Sequence, residues 1–419
     1  MYDAIIVGGG ISGLYTAYKL RKRHPHWRMA LLESADHLGG RAETSMFHGV
    51  RILHGAGIGR RGYDHLLLGL CRDLGVETHD FVYEMGYTSD IPYPADLQQL
   101  VRDVKRGYDP LGKHRGKTFK EVALDVVGQQ RYALWRVSNG YTDYEEEDPD
   151  ETFKTFRFDD SGAGDGWTKG VSIPWKDVID AMASSFGQKH IHLSERVTKI
   201  LPNEDGSEFL LSTKRKSHQD WNTRRVVVST DIRGVRDLVP GANAVESPYR
   251  GVMAQPFLRV YAHFTGPSVG LMKRLVPHTT VTATPMYKMI PIDAEKGVYM
   301  IAYTDNAGAL YFRKRPLLLQ NTHAAHKGWS RLCENALLVP KGSLCIDDIS
   351  VHYWEVGTHY FRPLDKKRYS NRRAFLQKVQ HPMHHLWVVG EGMSRNQGWT
   401  EGALESVEAI FPTLLTSTR

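Results

Sequence analysis

"YDAIIVGGGISGLYTAYKL", Tyr2 to Leu20, decides how this chain folds. Ala4 to Val7 is a short apolar run and reads as a buried strand. Gly8, Gly10 and Gly13 then satisfy G-x-G-x-x-G, and Leu14, Ala17, Tyr18 and Leu20 follow at helical spacing. In a strand–turn–helix unit each glycine has a separate task. Gly8 makes the tight turn, Gly10 lets backbone approach a pyrophosphate, and Gly13 lets the helix pack closely on the strand. The helix N-terminus, with Ser12 in its first turn, offers unpaired N–H groups and partial positive charge to phosphate. A second strand, "RMALLES", ends in Glu33, twenty positions beyond Gly13 and followed by Ser34. An acid at that distance can bind the ribose hydroxyls of an adenosine.

The segment "ESADHLGGRAET" places Gly39, Gly40 and Arg41 directly after that acid. A second glycine turn beside an arginine can bring N–H groups and a cation to the same pyrophosphate. The whole unit, closing in "LGGR", resembles the flavin-containing amine oxidase superfamily. That group includes monoamine, polyamine and L-amino-acid oxidases and, more distantly, protoporphyrinogen oxidases and carotenoid desaturases. The resemblance implies FAD as cofactor.

The likeness continues along the chain. "HGAGIG" resembles the family's small-residue turn beside the flavin ring, and carries that role to Gly55, Ala56 and Gly57, although His54 stands where the family usually has an acid. "ERVTKI" resembles the strand whose backbone, at Val197, meets the adenine. "RRVVVSTD" resembles a later strand ending near the cofactor at Thr230. The C-terminal "LWVVGEGMSRNQGWTEGALESVEAI" resembles the family's closing strand and helix. Its Gly390 and Glu391 are implied to lie along the phosphate and ribityl region. The helix beginning around Thr400, an expected N-cap, presents free N–H groups near Glu401 and Ala403 to the flavin's pyrimidine edge. Trp399 is then implied to wall the substrate against the flavin.

A second wall of this aromatic cage is expected from "YWEVGTHYFRPL", at Tyr360 or, next, His359. No cysteine stands where some monoamine oxidases attach flavin, so FAD is expected to be non-covalent, with His359 the one remaining attachment point. On the strand "QPFLRVYAHF", Arg259 occupies the family's usual lysine position beside flavin N5. Arginine keeps the charge but cannot act as a base, which leaves open whether oxygen or another acceptor reoxidises the flavin. Arg259 could also bind a substrate carboxylate, and Lys288 could approach from a neighbouring strand. "GVYMIAYTD" and "WEVGTHYF" also resemble amine oxidases encoded by large DNA viruses.

The bulk composition sets limits. The 419 residues, 41% apolar and 24% charged, describe a globular chain long enough for two domains. No stretch reads as a membrane span, and the N-terminus enters a strand at once, leaving no room for a signal peptide. Cys71, Cys333 and Cys345 are few, odd in number and far apart, so neither a disulfide framework nor a metal site is expected. A cytoplasmic location follows, or host cytoplasm or virion for a viral chain. The net charge is +7, with basic clusters at 21–23, 214–216, 313–315 and 366–373. These lack interleaved aromatics and read as solvated surface rather than a nucleic-acid site. The acidic run "YEEEDPDE", Tyr144 to Glu151, reads as a solvated loop, with the alternative that it draws cations toward a pocket.

The expected fold is α/β, a Rossmann-type FAD-binding domain (1–75, 170–245, 380–419) interleaved with an α+β substrate domain (76–169, 246–379). The first substrate stretch reads as mainly helical, the second as a mixed or antiparallel sheet flanked by helices. The expected activity is oxidation of a small amine by hydride transfer to flavin N5, with the imine hydrolysed in water and oxygen as the first-choice acceptor. Two readings stand beside it: a flavin-dependent desaturase of a non-amine substrate, against which "GWTEGA" argues, and a non-catalytic flavin-binding protein.

Overall fold

The computed structural model describes residues 1–155, 169–214 and 221–416. Arg215 and Lys216 of one basic cluster, positions 156–168 of the 76–169 stretch, and the last three residues lie outside them.

Four apolar runs build the first sheet. Leu386–Val388, Val226–Val228, Ala4–Val7 and Met29–Leu32, with the short Ile191–His192 at the edge, pair in that order, all parallel. A parallel sheet is covered on both faces, which is why these strands are continuously apolar. The two-residue alternation is visible in the packing. Ala4 and Ile6 join a core with the helices Ile11–Arg23, Trp175–Phe186 and Thr400–Thr416, while Ile5 and Val7 join a separate core on the opposite face. Arg21, Lys22 and Arg23 close the first helix with the charge its C-terminal dipole favours. An antiparallel meander, Val197–Pro202, Phe209–Thr213 and Trp221–Thr223, is attached alongside.

The second sheet has six strands in the order Ile346–Phe361, Val252–Phe264, Val298–Asp305, Lys288–Asp293, Thr279–Val281 and Met85–Tyr87. All pairings are antiparallel except the last, so the sheet is mixed. Helices Pro267–Leu275, Asn306–Arg313 and His323–Ala336 cover one face. The 76–169 stretch supplies helices Leu97–Gly107, Phe119–Val127 and Gln129–Asn139 around Trp135. It also supplies strands the sequence pattern did not announce. His79–Val82 pairs with Lys169–Ser172, which in turn pairs with Gly59–Arg60. These few residues lack alternation, so only their partners make them strands. No described helix is long and apolar enough to cross a membrane.

Two surface expectations are overturned. Most of the acidic run is buried: Glu145, Glu147, Asp148 and Glu151 are each less than a tenth exposed, while Glu146 and Asp150 stay exposed. The reason is pairing that sequence cannot display. Glu145 accepts from Arg136 at 2.8 Å and Tyr132 at 2.9 Å, Asp148 from Arg372 at 2.6 Å, and Glu151 from Arg395 at 2.9 Å. Arg372, expected among solvated charges, is buried with its two acids for the same reason.

Candidate functional site

One cavity of about 1340 Å³ runs along the C-terminal edge of the parallel sheet and onto the face of the mixed sheet. It exceeds the roughly 300–1,000 Å³ of an ordinary small-ligand pocket. Its lining gathers residues from both halves of the sequence. Gly8, Gly10, Ser12, Glu33, Ser34, Gly40, Arg41, Gly55, Ala56, Gly57, Val197, Thr230, Gly390, Glu391, Thr400 and Ala403 all border it, as do Arg259, His359, Tyr360 and Trp399. Gly13 does not border it, nor do Lys288 and Glu401.

The glycine turn explains the first of these. A Cβ on Gly13 would lie 2.0 Å from the Gly8 carbonyl oxygen, so this glycine serves helix–strand contact. Gly8 has φ +108°, and a Cβ there would meet the Ser229 carbonyl at 2.7 Å. Gly10 differs from both: nothing lies within 4 Å of where its Cβ would stand, and that space is the cavity. Glu33 is fixed at the wall by three donors: the Gly9 N–H at 2.6 Å, the Ala35 N–H at 2.7 Å and the Ser34 hydroxyl at 3.1 Å. The two glycine turns meet, since the Gly39 N–H donates to the Gly9 carbonyl at 3.0 Å.

Arg41 joins the halves. Its Nη1 donates to Glu391 Oε1 at 2.6 Å and to the Gly357 carbonyl at 2.8 Å. His359 lies against the same carboxylate, with Nδ1 2.9 Å from both oxygens, while its Nε2 accepts from the Ile232 N–H at 3.1 Å. Burial opposes ionisation of Glu391, but His359 and Arg41 outweigh it and hold the carboxyl down at about 2. His359 is buried at the cavity wall, with one ring nitrogen against a backbone donor and the other against Glu391.

Trp399 borders the cavity with the Arg60 guanidinium 3.7 Å from its ring centre. Arg60 is itself held by a buried ion pair to Asp64 at 2.6 Å. The helix after Trp399 begins at Thr400 itself, so Thr400 is its first residue rather than its cap. Glu401 turns away to accept from the Leu66 and Leu67 N–H groups at 2.7 and 2.9 Å, capping the helix His65–Asp73. Across the cavity edge, Thr358 approaches this loop: a Cβ on Gly398 would lie 3.7 Å from Thr358 Cγ2. Thr358 accepts from Gln255 Nε2 at 2.9 Å, and Gln255 Oε1 accepts from Asn306 at 2.7 Å. Gln255, Phe257 and Tyr303 are further cavity residues that sequence reading missed. Alternation along "QPFLRV" places Gln255 and Phe257 on the same face as Arg259, and that signal could have found them.

Arg259 is buried at the floor. Its Nη1 donates to the Leu53 carbonyl at 3.2 Å, its guanidinium stands 4.8 Å from the Tyr303 ring centre, and its Nε has no acceptor among the described residues. The cross-strand register sets His352, Arg259, Tyr303 and Lys288 in one row. Lys288 is thus one strand further away, with Tyr303 between, and its Nζ lies 3.3 Å from the Tyr141 ring centre. Burial first, then the charges of His54 and Arg259, push His352 down to about 3. The neighbouring histidine is neutral, and Arg259 is the fixed positive charge on this wall.

The residues present suit a flavin dinucleotide: a glycine turn open to the cavity, an acid fixed where a ribose would lie, and a buried guanidinium with an unmet donor at the far end. The family described as flavin-containing amine oxidoreductase matches residues 11–406, and the chain belongs to that family of flavin-dependent oxidoreductases. A further similarity, 40% identity over 50 residues, is to an uncharacterised protein, R188, of Acanthamoeba polyphaga mimivirus; it covers 12% of this chain and 10% of that protein.

Proposed function

We propose that the chain binds FAD non-covalently and oxidises the C–N bond of a small amine. The observation that carries this reading is the continuity of one cavity from Gly10 and Glu33 to Trp399, Tyr360 and Arg259. Gly10, Ser12, Glu33, Arg41 and the N-terminus at Thr400 would hold the dinucleotide, which supplies the two-electron acceptor when bound. Everything else is positioning and electrostatics from this chain. Trp399, backed by Arg60, and Tyr360 line the substrate end and exclude bulk and water around the reacting carbon. The Arg259 charge in a buried wall favours negative charge developing beside it and disfavours a protonated amine, so the substrate enters as the neutral base. The imine product is released to water for hydrolysis. Oxygen is the expected acceptor, and Arg259 in place of a base is the residue on which its rate depends.

The test is the visible spectrum of the purified flavoprotein under anaerobic conditions, as polyamines, aromatic monoamines and L-amino acids are added in turn. Bleaching by one class supports the reading and names the substrate, and admitting air then measures reoxidation. A bound flavin that no amine bleaches defeats it in favour of desaturase-type or non-catalytic roles.

For Trp399 the expected outcome is a split. Trp399→Ala lowers kcat/KM about a hundredfold with flavin content unchanged, whereas Trp399→Phe, which retains a ring on Arg60, recovers most of it. Equal loss in both variants, with loss of bound flavin, would assign Trp399 a packing role instead.

A further inference from the structure

On the face of the mixed sheet opposite the helices that cover it, three irregular pieces of backbone converge. His48 forms the tip of the hairpin joining Thr44–Phe47 to Val50–Leu53 and has φ +48°, the left-handed region that costs a non-glycine residue. His263 stands near the end of the strand Val252–Phe264. Opposite it the register slips, because Phe264 pairs with Ile346 and His263 with Asp348, so Asp347 is the additional residue of a bulge. Bulges re-aim side chains. Here the result is that His263 Nδ1 lies 2.6 Å from Asp347 Oδ1, and the His263 ring stacks on the His48 ring at 3.8 Å between centres, 9° apart. One donor atom from each of His48, His263 and Asp347 falls within 4.8 Å of the others.

We propose that His48, His263 and Asp347 form a site for a divalent transition metal of the zinc type, distinct from the flavin cavity. Two imidazoles and one carboxylate are the donor set such ions favour, whereas calcium and magnesium take oxygen donors. A tetrahedral ion with bonds near 2.0–2.1 Å holds its donors roughly 3.3 Å apart, so the exposed His48 ring must swing out of its stack on His263 to point a ring nitrogen at the same ion. A supporting carboxylate is also in place. His48 Nε2 lies 2.8 Å from Asp348 Oδ2, and Asp348 Oδ1 accepts from Asn321 Nδ2 at 2.7 Å. Outer carboxylates of this kind orient histidine ligands. None of the four residues was legible as a ligand set, since they are drawn from positions 48, 263, 347 and 348.

The placement gives the ion a consequence. The hairpin that ends in His48 runs back to Leu53, whose carbonyl accepts from Arg259 and from the Tyr261 hydroxyl at 2.6 Å. An ion at the tip pins this hairpin to the sheet that carries Arg259.

The experiment is isothermal titration of the chelator-stripped, flavin-loaded full-length protein with zinc chloride, alongside calcium and magnesium chloride. One equivalent of zinc is expected, with His48→Ala and His263→Ala each weakening it at least about tenfold and Asp348→Asn by about tenfold. His26→Ala, at an exposed histidine in the turn before the parallel strand Met29–Leu32, serves as the control among the 20 histidines and leaves binding unchanged. Zinc should also raise the thermal midpoint of the parent but not of His48→Ala. No stoichiometric zinc, zinc binding indifferent to both histidine variants, or tighter binding of calcium would each overturn the proposal.

Discussion

Gly10→Val is expected to yield a folded protein that purifies without its yellow colour. The space beyond Gly10 is the cavity itself, with no protein atom within 4 Å of the missing Cβ, so a side chain there meets no backbone and leaves the strand–helix contact intact. Its φ of −76° is one that any residue adopts. The branched side chain instead occupies the position where a pyrophosphate would approach the helix N-terminus. Flavin affinity should fall by a factor of about a hundred or more, roughly the 3 kcal/mol of two lost charge-assisted hydrogen bonds, while the cooperative unfolding of the apoprotein stays near that of the parent apoprotein. Gly13→Val is the contrasting variant. Its side chain would overlap the Gly8 carbonyl, and it should fail as a fold. Full flavin content in Gly10→Val would remove the proposal that this turn carries the dinucleotide.

Glu391→Gln should lose stability that depends on pH in a defined direction. The folded carboxyl titrates at about 2 against an ordinary 4.5, because His359 and Arg41 outweigh its burial. Between those values the unfolded chain binds more protons than the folded one, so stability rises with pH across that window. The contribution is complete above about 4.5 and is lost as pH falls toward 2. Its size is on the order of 3 kcal/mol, enough to dominate the acid limb of a marginally stable fold. Gln keeps the shape but not the charge, and leaves Arg41 facing a neutral amide. Urea unfolding at pH 7 and pH 3 measures both effects: a large difference between parent and variant at pH 7 that narrows at pH 3. Equal stability at pH 7 would mean that the Arg41–Glu391–His359 contact contributes nothing net. A parallel loss of flavin is expected, since Glu391 and Arg41 both border the cavity.

Local signals carried the nucleotide half of the site. The strand Ala4–Val7, the three glycines and the acid at Glu33 lie within one continuous stretch, and each glycine's role follows from chemistry that acts over a few residues. The structure gives Gly8, Gly10 and Gly13 three different surroundings. The four buried parallel strands were readable for a related reason: a strand covered on both faces must be apolar throughout, and that pattern is unusual elsewhere.

Pairing of charges was not readable. "YEEEDPDE" has the composition of a solvated loop, and its burial depends on partners outside the run, among them Arg136 and the distant Arg372 and Arg395. The partners of His359 were hidden for the same reason: Ile232 and Glu391, which engage its two ring nitrogens, lie more than thirty positions away on either side. The Arg60 beneath Trp399 and the row of His352, Arg259, Tyr303 and Lys288 likewise exist only through strand register and the packing of distant segments.

By itself, then, the sequence determined what covalent neighbours can determine: the glycine turn, the buried parallel strands and the family to which the chain belongs. The tertiary structure alone decided which ionisable groups are spent on one another and which remain for chemistry. Hydrophobic periodicity is a local property of a helix or strand, whereas the energy of a charge depends on the dielectric and the partners that folding brings to it.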